Sequence, residues 1–198
     1  MLLAATAIVL GLVILVWGAD RFVIGAAALA NSLGIPPLLI GLTVVGFGTS
    51  APEILVSTMA ALEGSPGIAI GNALGSNIAN IALILGATAL FSPLTVQSDM
   101  LRREYPLLLL ISVGAFVLLL DGYLGVIDGI ALLLGLVASM WLLVRIGLQR
   151  RDNDPLADEI EAEIPADMTA LAATGWFLIG LVTLVISSRM LVWGAIEV

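Results

Sequence analysis

Leu42-Thr-Val-Val-Gly46-Phe-Gly48-Thr49-Ser50-Ala-Pro52-Glu53 lies inside an apolar run that extends from residue 38 to 62. Pro52 cannot donate to the carbonyl of Gly48, four residues earlier, and its ring pushes that carbonyl aside. Gly46 and Gly48 make the same turn easy to unwind. The stretch predicts a helix broken near its middle, with freed carbonyls around 46–49 beside two hydroxyls (Thr49, Ser50) and one carboxylate (Glu53). Irregular backbone at membrane depth persists only where protein buries it or it lines a wet cavity. An ionisable side chain there is costly unless it is solvated or paired. Carboxylate, hydroxyl and carbonyl oxygens together are the ligand set of a hard cation such as Ca²⁺ or Na⁺. The plainer alternative is a proline kink with a snorkelling or locally paired glutamate.

The rest of the chain has the composition of a membrane protein. Of its 198 residues, 61% are hydrophobic and 11% charged, and the mean hydropathy is +1.17. A soluble domain carries about a quarter charged residues. Six apolar spans can be drawn, roughly 2–33, 38–62, 68–91, 105–120, 126–148 and 169–198. Several approach the ~20 residues that cross a hydrocarbon core. The expected fold is all-α and integral to the membrane, in contact with the lipid bilayer. A soluble enzyme and a nucleic-acid-binding module are excluded. There is no Cys and no His, which removes disulfides, thiol chemistry, imidazole metal sites and His-based catalysis. No enzymatic activity and no cofactor are expected.

Pro and Gly mark the connections at Gly34-Ile35-Pro36-Pro37, Glu63-Gly64-Ser65-Pro66-Gly67, 92–104 and Asp121–Gly125. Asp121-Gly122 and Asp128-Gly129 read as turns or span ends rather than an intramembrane acid pair. Asp20-Arg21 reads as an interfacial pair, and Arg189 lies inside the sixth span with no local acid. Residues 149–167 hold seven of the 15 acids behind the net charge of -8. They are expected to form an acidic cytoplasmic loop, either a solvated linker or a short surface helix carrying Leu156, Ile160 and Ile164. Ala28-Leu29-Ala30 looks like a leader-peptide cleavage site, but no positive charge precedes the apolar run, so a retained first span is expected. Arg102, Arg103, Arg145, Arg150 and Arg151 all fall on one side of the six-span arrangement. The positive-inside rule then puts 92–104 and 149–167 in the cytoplasm and the N-terminus outside, in a cell (inner) membrane.

An internal repeat links the two ends. At a constant offset of 169, eight of 19 positions match between 11–29 and 180–198, including Gly11 with Gly180 and Gly25 with Gly194. Five spans separate the copies, so the second enters from the opposite side: an inverted-topology repeat, as in many secondary transporters. Residues 1–148 then form a first repeat of five helices, and 168–198 the first helix of a second. The partner of the second span would start beyond residue 200 by this offset. The chain is therefore expected to be the N-terminal part of a longer protein, with the missing C-terminal repeat as its partner.

The third span reads Gly71-Asn72-Ala-Leu-Gly75-Ser76-Asn77-Ile-Ala-Asn80. Helical spacing stacks Asn72, Ser76 and Asn80 on one face. Gly71 and Gly75 offer a small-residue surface for close helix approach. Its three amides, Asn72, Asn77 and Asn80, need partners in lipid. Interhelical hydrogen bonds or a bound cation would each serve.

Gly48-Thr-Ser-Ala-Pro-Glu53 followed by Gly71-Asn-Ala-Leu-Gly-Ser-Asn-Ile-Ala-Asn80 resembles the first alpha repeat of the calcium/cation antiporter superfamily, nearest its sodium/calcium exchanger branch. The resemblance extends over the whole chain and implies a transporter in which these motifs line a central ion site. It implies Glu53 and Thr49 at a calcium site, carbonyls near Gly46 together with Ser50 and Ser76 at a sodium site, and Asn80 beside the carboxylate. Asn77 and Asn72 complete the candidate ion-binding set. Gly46 stands where relatives often have alanine, which leaves the carbonyl unchanged. Proton-coupled members carry a glutamate in the span 3 motif; Ser and Asn here favour sodium. The expected function is Ca²⁺/Na⁺ antiport by alternating access. The alternatives are a proton-coupled Ca²⁺/cation antiporter and a non-transporting membrane scaffold; an intramembrane hydrolase lacks any nucleophile–base pair.

Overall fold

A computed structural model describes residues 1–92, 98–149 and 168–198, all of them helical or in short connections. The acidic loop expected at 149–167 lies, apart from Gln149, outside the described residues. Helix α1 (Leu2–Ser32) is followed by a single turn, α2 (Pro37–Leu39), a π-helical segment Ile40–Val45, α3 (Gly46–Thr49) and α4 (Ala51–Leu62). Then come α5 (Pro66–Ile78), a second π-helical segment Ala79–Leu85, α6 (Gly86–Phe91), α7 (Ser98–Leu119), α8 (Val126–Gln149) and α9 (Ala170–Ile196). The described residues form two compact units, 1–85 with 168–198, and 86–92 with 98–149.

The turns form where the sequence marks them. Gly34 and Gly64 adopt φ +77 and +76. Each closes a helix with paired bonds: Ile35 N–H to Ala30 O (3.2 Å) and Gly34 N–H to Asn31 O (2.9 Å), then Ser65 N–H to Ala60 O (2.8 Å) and Gly64 N–H to Ala61 O (3.2 Å). This end motif needs a left-handed residue, and glycine takes it without a Cβ clash. A proline then opens the next helix, where a missing N–H costs nothing. Gly122 has φ +72. Beside it Asp121 Oδ1 accepts from Tyr123 N–H at 3.0 Å, and Asp128 Oδ2 accepts from Gly125 N–H at 2.8 Å. Both Asp-Gly pairs therefore serve turns and helix starts.

Among the described residues four helices are long and apolar enough to span a membrane: Leu2–Ser32, Pro66–Phe91, Val126–Arg145 and Ala170–Ile196. Thr43–Thr49 and Ala51–Leu62, bent by 48°, make a fifth span if joined. The fourth apolar stretch is shorter than the others, Tyr105–Leu119 within α7.

The first unit is organised by α1 against α9. Gly11 meets Leu191, Gly18 meets Thr183 and Leu184, and Gly25 meets Phe177, so the helices run antiparallel. The contacts obey the offset of the sequence repeat. Gly11 against Leu191 is mirrored by Gly180 against Phe22; Gly25 against Phe177 is mirrored by Gly194 against Ile8. This is the reciprocal pattern of a two-fold axis, in which residue i meets j′ and j meets i′. Leu15 and its counterpart Leu184 are buried together, with Val192, Ala51, Val56 and Ala60 beside them. Gly71 and Gly75 do not make the close approach expected of them. Neither has a described atom within 4 Å of where a Cβ would be, because α5 meets α4 through Ala69 and Asn72 instead.

Candidate ion site at the break between α3 and α4

The chain breaks at one residue. Ser50, with φ -91 and ψ -1, separates α3 from α4, and Pro52 lies in the first turn of α4. The backbone around 46–49 stays a helical turn rather than unwinding as the sequence reading expects. The irregularity is split between the π-helical segment at 40–45 and the step at Ser50. The cause is local: Pro52 withdraws one N–H, while Ser50 N–H still reaches Phe47 O at 3.1 Å and Ile54 N–H reaches Ser50 O at 3.0 Å. One dihedral step then suffices to redirect the chain.

Glu53 occupies the first turn of α4. A cavity of about 450 Å³ opens beside it, lined by Thr49, Ser50, Glu53, Ile54, Ser57, Ala73, Ser76, Asn77 and Asn80. Six of the eight sequence-derived candidates line that cavity together. Gly46 stands behind it, its carbonyl accepting the Thr49 hydroxyl at 3.1 Å. Asn72 does not line it. Its Nδ2 donates to Glu53 O at 3.2 Å and to Ser57 Oγ at 3.0 Å. Ser57, which the sequence reading passes over, donates in turn to Ala69 O at 3.2 Å. Its one signal in the sequence is its place a helical turn after Glu53.

Three polar side chains of the cavity donate within their own helices. The hydroxyl of Thr49 goes to Gly46 O, that of Ser76 to Ala73 O at 3.3 Å, and Asn77 Nδ2 to Ala73 O at 2.8 Å. The oxygens of these side chains keep lone pairs, acceptors suited to a cation. Glu53 Oε2 is buried with no hydrogen-bond partner among the described residues. A carboxylate oxygen buried without a partner is costly, and a cation is one partner that would relieve the cost. Among the described residues no three acidic, His or Cys side chains converge to hold a metal ion.

A second cavity, about 520 Å³, lies on the other side of Glu53 and is lined mainly by aliphatic side chains of α1, α4, α5 and α9, with Asn72 among them. Glu53 thus stands in the wall between a polar and an apolar space. Two further charges find partners. Arg189 Nε lies 4.0 Å from Glu63 Oε1, at the end of α4, which supplies the acid the sequence reading lacks. Arg21 Nε lies 3.7 Å from Asp20 Oδ2, and its guanidinium sits 4.9 Å from the ring of Trp176 and 5.8 Å from that of Trp17.

The comparisons with known proteins agree with this architecture. The sodium/calcium exchanger protein family matches residues 3–145. A putative antiporter, CaxA, from Alkalimonas amylolytica is 46% identical over all of this chain and 62% of its own length. The inner membrane protein YrbG of Escherichia coli strain K12 is 47% identical over 97% of this chain and 60% of its own length. A structure of the sodium-calcium exchanger NCX_Mj, soaked with Na⁺ and Sr²⁺, superposes with a TM-score of 0.59 at 32% identity, covering 99% of this chain and 61% of that one. The chain therefore spans about three fifths of the length of the relatives it matches. It has the fold of an inverted-repeat transporter and is a multi-pass membrane protein. On the family match and the relatives together, the chain belongs to the sodium/calcium exchanger family of the calcium/cation antiporters.

Proposed function

We propose that this chain supplies one half of an ion pathway that exchanges Ca²⁺ for Na⁺ by alternating access, with Glu53 as its charged ligand. The observation that carries the reading is the buried Oε2 of Glu53, without a hydrogen-bond partner among the described residues, beside a cavity lined by hydroxyl and amide side chains. Thr49, Ser50, Ser76, Asn77 and Asn80 contribute neutral oxygens, and Gly46 its carbonyl. One carboxylate cannot neutralise a divalent ion that takes six to eight oxygens. A second, inverted copy of the break would complete the site, and the reciprocal packing of α1 and α9 supports an axis about which such a copy is arranged. Residues 1–148 are then the first repeat, 149–167 a cytoplasmic loop and 168–198 the start of the second. The arginine distribution supports an N-terminus outside.

Competition couples the fluxes in this account. Two carboxylates hold either one Ca²⁺ or several Na⁺, and exchange of one for the other is the transport step. Sodium is favoured over protons because Ser76, Asn77 and Asn80 place no second acid on α5 and the segment after it. The complete exchanger, reconstituted in vesicles, should take up Ca²⁺ against an outward Na⁺ gradient and show no uptake with a pH gradient alone. Uptake driven by the pH gradient without sodium would replace this reading with proton coupling. Absence of any Ca²⁺ binding to the intact protein would replace it with a scaffold.

A further inference from the structure

We propose that Ser57 and Asn72 form a positioning clip that sets the ion affinity of the Glu53 cavity; this rests on the ion-binding role proposed for Glu53. Glu53 and Ser57 are one turn apart on α4, and Ala69 and Asn72 nearly one turn apart on α5. Both amide hydrogens of Asn72 are committed to α4, one to the Glu53 carbonyl and one to Ser57 Oγ, and the Ser57 hydroxyl returns to the Ala69 carbonyl. Three hydrogen bonds thus tie two adjacent turns in a single register. They do so where α4 is least able to hold itself, directly after the step at Ser50 and beside a proline with no N–H. The carboxylate of Glu53 leaves a Cα whose own carbonyl is gripped by Asn72. The cavity's α5 wall, Ala73, Ser76 and Asn77, follows within the next turn and a half of helix. The clip therefore fixes how far the carboxylate stands from the oxygens opposite it. Asn72 lines the apolar cavity and not the polar one, so it acts through Glu53 and is a positioning residue.

Ser57→Ala, Asn72→Leu, the double variant and Ser57→Thr test this in the complete exchanger. Binding is read as the Ca²⁺ or Na⁺ concentration that half-protects Glu53 from carbodiimide modification, a readout that needs no turnover. Exchange is read as the maximal rate and half-saturating Ca²⁺ of sodium-driven uptake. Loss of groups that orient a ligand costs about tenfold or more in affinity, so each single variant should raise both half-saturating concentrations about tenfold. The maximal rate should stay within about twofold, the pattern of lost binding rather than lost chemistry. Ser57→Thr, which keeps the hydroxyl, should match the wild type, and the double variant should be no worse than Asn72→Leu alone. Unchanged half-protection in both single variants overturns the clip, as does a fall in maximal rate alone or an additive double variant. If neither ion protects Glu53 in the wild type, the ion-site reading itself fails and takes the clip with it.

Discussion

Gly180 faces the backbone of Phe22 so closely that a Cβ at 180 would lie 2.3 Å from the Phe22 nitrogen. A Cβ at Gly25 would lie at the same 2.3 Å from the Phe177 nitrogen. No side chain can step aside at either place, because the obstacle is the main chain of the facing helix. In a membrane, where apolar burial does little to bring helices together, such contact is a principal source of helix association.

Gly25→Ala and Gly180→Ala should therefore each destabilise the protein by about 1–3 kcal/mol, the usual range for overpacking. Gly135→Ala, with open space around it, should be neutral or slightly stabilising. Thermal unfolding in detergent, with the three variants side by side, measures the difference. Equal melting temperatures for all three would refute the close approach.

Pro52→Ala returns an N–H to the first turn of α4 and removes the ring that helps to open the chain at Ser50. Stability should be unchanged or rise by about 1 kcal/mol, the net worth of one hydrogen bond. Exchange should fall by about tenfold or more, since small misplacements of a ligand are costly. Initial uptake rates alongside melting temperatures check both halves of the expectation.

These outcomes depend on features of unequal visibility in the sequence. The break near Pro52 is legible because a missing N–H is a property of one residue, and the turns at Gly34, Gly64 and Gly122 are legible for the same local reason. The pairing of α1 with α9 is half legible. The 169-residue offset relates the helices, but only the fold shows that Gly11 meets Leu191 while Gly180 meets Phe22. Gly71 and Gly75 carry the same small-residue signature and make no such contact among the described residues, because a glycine pattern does not encode which face a neighbour takes. Ser57 is a single hydroxyl in an apolar span and becomes informative only once Asn72 and Ala69 are beside it. The π-helical segments at 40–45 and 79–85 have no sequence signal that separates them from ordinary helix.

Arg189 and Glu63 illustrate the same point, since they come together only through the packing of α9 on α4. Their Nε–Oε1 distance of 4.0 Å and the 77% exposure of the arginine side chain make this a weak tie. A double-mutant cycle on Arg189→Ala and Glu63→Gln should give a coupling below about 1 kcal/mol. A larger value would mean that the pair is shielded in the assembled protein and helps to hold α9 to α4.

Glu53→Gln tests the central claim most directly. The substitution keeps size and shape and removes the charge proposed to hold a cation in the cavity. In vesicles containing the complete exchanger, sodium-gradient-driven uptake of Ca²⁺ should fall to background while the melting temperature stays near that of the wild type. Undiminished uptake by a folded Glu53→Gln protein would contradict the account.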